Sequence, residues 1–179
     1  ANETIALVAL FVFTLLPRSF LWEIMGGGLT RSLGFLFALL ALWQAHEMFR
    51  RRQRWRVWTV SILAGCTVLS HLEMAWFLAF SIVLFLLVFA RNRDGVIHIG
   101  LMAAGAAVVS APWWITVIVH HGPAPLLAAA RSNDTLFIGL ARLFLVGPTL
   151  ESFFPVLGVA AVLGFLVCLG RREFWLPAW

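Results

Sequence analysis

Ser70-His71-Leu72-Glu73 interrupts a long hydrophobic stretch with two ionisable side chains. At a turn both could face one cavity, His71 donating a hydrogen bond or titrating, Glu73 accepting one or acting as a base. An ionisable group below a membrane surface costs about 3 kcal/mol or more unless it is paired or wetted, which makes it a functional candidate. The plainer role for both residues is to cap two helix ends, bonded to each other or to water. A metal on His71 and Glu73 is a weaker reading, since two ligands do not complete a site.

Three further segments carry candidate chemistry. Pro17–Thr30 holds Glu23 and then Gly26-Gly27-Gly28-Leu29-Thr30-Arg31. Consecutive glycines entering a helix leave backbone N–H groups at its positive end, where an anion could dock beside Arg31. The alternative is a flexible loop with Thr30 as N-cap; no Walker pattern is present. Ala111-Pro112-Trp113-Trp114 puts a helix-kinking proline beside two tryptophans. These suit the interfacial aromatic belt, or a wall for a sugar ring or prenyl chain. His120-His121-Gly122-Pro123-Ala124-Pro125 opens a loop that Arg131 and Asp134 close. Arg131 and Arg142 could hold a lipid-linked phosphate through their guanidinium forks, or anchor a helix to lipid headgroups.

The elements that position these residues follow from composition. Of 179 residues, 62% are hydrophobic and 12% charged, against roughly 45–50% and about 25% in soluble domains. A soluble core of this size cannot hide so much apolar surface. The expected fold is all-α: a polytopic transmembrane helix bundle with one short re-entrant or interfacial helix on the outer side. A span takes roughly 20 apolar residues. Spans are expected at 5–16 (partial), 29–49, 57–69, 74–90, 96–119 and 153–170, with the interfacial helix at 136–146, all in one transmembrane domain. No signal peptide or internal repeat is recognisable, and the chain reads as an internal fragment whose partner is the rest of the same polypeptide.

All cations other than histidine are arginines, and the net charge is +5. They sit between hydrophobic runs and not along one soluble face, which argues against nucleic-acid binding. Cys66 and Cys168 fall inside apolar runs without metal-ligand spacing. Arg50–Arg56 follow the second span, Arg91/Arg93 the fourth and Arg171/Arg172 the last, and all three clusters are expected to be cytoplasmic by the positive-inside rule. Between Arg56 and Arg91 the chain must therefore leave and return. Each arm is short: at ~1.5 Å per residue, 57–69 covers about 20 Å and 74–90 about 25 Å. The Ser70–Glu73 turn should lie recessed below the outer surface. Parity then gathers Glu23, Arg31, His71, Glu73, His120, His121, Arg131, Asp134, Arg142 and Glu151 on the extracytoplasmic side.

Taken together, the Pro17-Arg18 and Glu23…Gly26-Gly27-Gly28-Leu29-Thr30-Arg31 segment, the Leu69-Ser70-His71-Leu72-Glu73 turn, and Ala111-Pro112-Trp113-Trp114 followed by His120-His121-Gly122-Pro123 resemble bacterial membrane glycosyltransferases of the GT-C type. The likeness is close to the protein-mannosyltransferase and aminoarabinose-transferase group and covers most of the chain. The resemblance implies a bacterial cytoplasmic-membrane enzyme. It would take a sugar from a polyprenyl-phosphate donor at the outer face and pass it to a lipid, glycan or protein acceptor. In that family a catalytic Asp or Glu lies in the first extracytoplasmic loop. No residue here matches that motif, so no catalytic residue is assigned and the need for a divalent metal stays open. His71, Glu73, Glu23, Arg31, His120, His121, Arg131, Asp134 and Arg142 are the substrate-binding candidates. A transporter or permease segment is the alternative, since intramembrane His and Glu also suit proton coupling. A non-catalytic membrane scaffold is a third reading.

Overall fold

A computed structural model describes residues 3–15, 28–131 and 154–172. The described residues form helices α1 (Glu3–Leu15), α2 (Gly28–Arg51), α3 (Arg56–Ser70), α4 (Leu72–Phe89), α5 (Arg93–Val109), α6 (Ala111–His121), α7 (Ala124–Arg131) and α8 (Phe154–Gly170). The expected interfacial helix at 136–146 lies outside the described residues. The chain divides into two compact units, Ala1–Ala111 and Pro112–Trp179.

Helices α2 to α5 pack as a cluster, α2 against α3 and α4, and α3 against α5. Ala38, Ala41 and Ala45 are fully buried on α2. At that spacing they share one face, and their small side chains let backbones approach closely. Leu78, Ile82 and Phe85 of α4, Val60 of α3 and Met102 of α5 complete the core. The buried hydroxyls of Thr67 and Ser81 donate to the carbonyls of Leu63 and Phe77, each at 2.8 Å. Such back-bonding is how a helix carries a hydroxyl without water.

Side-chain neighbours fix the helix directions. Arg31 lies beside His71 and Glu73, and His46 packs edge-on against Phe85 and Phe89. Hence α4 runs parallel to α2. Arg54 pairs with Asp94, and Gly65 abuts Val109, so α5 runs parallel to α3. The four helices alternate up and down. Arg50–Arg56 and Arg91/Arg93 collect at one end of the cluster, and Arg31, His71 and Glu73 at the other.

The outward faces are apolar, with Leu36, Trp43, Ile62, Phe80, Val83 and Leu87 all exposed. An apolar surface this extensive requires an apolar surrounding. Among the described residues two helices, Gly28–Arg51 and Leu72–Phe89, are long and apolar enough to cross a membrane. A third span results if Arg93–Val109 and Ala111–His121 are taken as one.

The structure departs from the sequence pattern in two places. The 96–119 run is two helices interrupted at Ser110, and not one continuous helix. The Ser110 hydroxyl bonds back to the carbonyls of Ala106 and Ala107 at 2.8 and 3.3 Å. Pro112 has no N–H to continue the ladder and fits best in a first turn. The stretch after Gly122, expected as loop, contains α7. Pro125 falls in its first turn, and Leu-Leu-Ala-Ala-Ala then favours helix.

Candidate functional site

Residue His71 alone separates α3 from α4. Its backbone is extended (φ −159°, ψ 114°), its N–H donates to the Thr67 carbonyl, and its own carbonyl accepts from Ala75. One residue thus closes α3 and opens α4. This leaves Glu73 in the first turn of α4, where a carboxylate is favoured by the helix dipole. The turn lies against α2: a Cβ built on Gly34 would stand 2.8 Å from the His71 Cβ. Gly34 is six residues into α2, or roughly 9 Å along its axis. The turn is therefore set back from the start of α2, as the shortness of α3 requires.

Arg31, one turn before Gly34, reaches over this junction. Its Nε donates to His71 Nε2 at 3.4 Å and its Nη2 lies 3.3 Å from Glu73 Oε2. One guanidinium fork thus spans both residues of the turn. The Arg31 side chain is 25% exposed and Glu73 68% exposed, so the pair marks the mouth of the site and His71 its inner wall. Since Nε2 accepts, the neutral imidazole carries its proton on Nδ1. Among the described residues that Nδ1 is buried and has no hydrogen-bond partner. A buried donor left unsatisfied costs about 1–3 kcal/mol, which an acceptor oxygen from a ligand or water would recover. The group offers guanidinium N–H groups and an imidazole N–H to an oxyanion or hydroxyl, and a carboxylate to a hydroxyl.

Of the residues proposed from sequence, Arg31, His71 and Glu73 are brought together. His120 and His121 end α6, both exposed, with ring centroids 6.5 Å apart. Arg131 ends α7. Glu23, Asp134, Arg142 and Glu151 lie outside the described residues. Gly34 was not singled out by sequence reasoning. Its signal is its position three residues after Arg31, on the same helix face. Among the described residues no three of His, Cys, Asp and Glu are grouped so as to hold a metal ion. No protein-family model, curated protein or solved structure matches this chain.

Proposed function

We propose that the chain is part of a polytopic bundle in a bacterial cytoplasmic membrane, and a segment of a glycosyltransferase. The enzyme would move a sugar from a polyprenyl-phosphate donor to a lipid, glycan or protein acceptor at the extracytoplasmic face. In such a reaction the acceptor hydroxyl attacks the anomeric carbon and gives its proton to a base, the bond from that carbon to the phosphate oxygen breaks, and the phosphate leaves with the electron pair. Cationic and N–H donors stabilise that leaving charge. Arg31 and His71 are of the right type, and Glu73 is placed to accept from a sugar hydroxyl. The observation that carries the reading is the His71 Nδ1, buried and unpartnered beside the Arg31 fork.

The test is transfer in the full-length protein. His71→Ala with Glu73→Ala, at equal expression, is expected to lower turnover by about a hundredfold, the usual scale for losing positioned polar contacts to reacting groups. Wild-type turnover in the double variant would falsify the assignment. The alternative of a transport segment draws on the helix interruption at Ser110, since broken helices build substrate sites in transporters. Proton-dependent uptake by the same protein, without sugar transfer, would favour it.

A further inference from the structure

At the arginine-rich end of the cluster a cavity of about 160 Å³ opens among Met48, Phe49, Arg52, Arg54, Asn92 and His98. Met48 and Phe49 are buried and form an apolar floor, while Arg52 and Arg54 are exposed at the rim. We propose that this cavity binds the phosphate headgroup of an anionic membrane lipid, with the glycerol end of its acyl chains lying over the Met48–Phe49 floor. The site lies away from the Arg31 group and does not depend on the reading given to it.

Three observations support this. The first is charge. Among the described residues the arginine ion pairs at this end join Arg51 to Glu47 at 2.6 Å and Arg54 to Asp94 at 2.9 Å. Arg52 takes part in neither. Two arginines therefore face one carboxylate across the cavity, and Arg50, Arg91 and Arg93 add to the field from beside it. The second is backbone. Arg52 adopts φ 54°, the left-handed region that glycine normally fills after a helix. An arginine there, and not glycine, puts a long cationic side chain at the cavity rim. The third is position. Helices α2 and α4, the two spanning candidates, both end here, at Arg51 and Phe89. This level is where headgroups lie, and basic pockets between spans recognise anionic lipids there. A free inorganic anion would have no use for the apolar floor.

The Arg54–Asp94 pair makes the proposal directional. Asp94 competes with the lipid phosphate for Arg54, so its removal should tighten binding, whereas removal of Arg52 should weaken it. Binding of short-chain phosphatidylglycerol to the detergent-solubilised full-length protein would be titrated by native mass spectrometry. Phosphatidylcholine is the neutral comparison. Arg52→Gly also eases the left-handed turn, so it is expected to fold; Arg52→Asn, which tolerates the same φ, serves as a second variant. Both should weaken phosphatidylglycerol binding by about five- to tenfold, and Asp94→Asn should strengthen it by about threefold. Removing equal or greater charge elsewhere, by Arg171→Gln with Arg172→Gln, should leave it unchanged. Three outcomes would each overturn the proposal. They are wild-type affinity in both Arg52 variants, equal binding of phosphatidylcholine, and an equal loss from the Arg171/Arg172 variant. Displacement by ~10 mM inorganic phosphate, well below the roughly 100 mM salt that screens surface charge, would assign the cavity to a free anion and overturn the lipid assignment.

Discussion

Arg31 does at the residue scale what neither His71 nor Glu73 could do alone. Its Nε and Nη2 are fixed in one plane and reach two different acceptors, one at the α3–α4 junction and one in the first turn of α4. A lysine ammonium keeps the charge but is a point donor on a flexible stem and cannot hold both partners in one geometry. If the proposed transferase reading holds, Arg31→Lys is expected to cost about tenfold in sugar transfer by the full-length protein, the equivalent of one net hydrogen bond to a charged group. Arg31→Gln should cost more, because the guanidinium charge is lost as well. A steady-state assay at equal expression decides it: Arg31→Lys turning over like the wild type would show that the fork has no role. The pairing of His71 with Glu73 was legible in the sequence, because two ionisable groups between apolar runs stand out by type alone. The convergence of Arg31 was legible only as a shared side of the membrane. Its contact spans forty residues of sequence and depends on the register between α2 and α3, which is set by side-chain fit and not by hydropathy.

At the scale of elements, that register is held by small residues. A Cβ on Gly65 would collide with the Cβ and Cγ1 of Val109, and one on Gly105 with the Ser61 side chain. The α3–α5 interface is thus built at backbone distance, as is common where helices associate without a hydrophobic drive between them. Gly65→Ala should force the two helices apart and destabilise the cluster by about 1–3 kcal/mol. Gly100 on α5 has nothing within 4 Å of an added Cβ, so Gly100→Ala should be neutral or stabilise by up to about 1 kcal/mol. Ser61 supplies the opposite sign. Its hydroxyl is buried without a partner among the described residues, and Ser61→Ala should raise stability by about 1 kcal/mol. Thermal unfolding of the purified protein in one detergent orders the three variants. Equal midpoints for Gly65→Ala and Gly100→Ala would mean that the α3–α5 contact does not carry stability. Hydropathy located the runs but could not separate a kink from a break at Ser110, because the outcome there turns on local hydrogen bonds of the hydroxyl and on the missing N–H of Pro112. Nor could it find α7, where the proline of the first turn precedes a short run of good helix formers.

For the whole molecule, the alternation of α2 to α5 separates the Arg31 group from the arginine-rich end. Charge parity in the sequence required the 57–90 segment to go out and return. The side-chain neighbours now put the ends of α2 and α4, with Arg54 and Asp94, at one level, and Arg31 with His71 and Glu73 at the other. If the helices stand across a bilayer, the positive-inside rule puts the arginine-rich end in the cytoplasm. The His71 junction then faces outward, set back from the start of α2. Single cysteines at Ser70, His121 and Arg91, in a protein whose Cys66 and Cys168 are replaced by alanine, test this in intact cells. An impermeant thiol reagent should label positions 70 and 121 and leave 91 unlabelled until the membrane is opened. Position 70 should react more slowly than 121, because Ser70 is half-buried and His121 exposed. A small reagent should narrow that difference if the junction lines a wet vestibule. Labelling at 91 in sealed cells would invert the orientation, and with it move the lipid-phosphate cavity to the outer leaflet and the Arg31 site to the inner. Labelling at 121 without 70, even with the small reagent, would leave the orientation standing but close the vestibule. The Arg31–His71–Glu73 group would then be a buried structural junction, and the substrate would have to approach from elsewhere on the outer face.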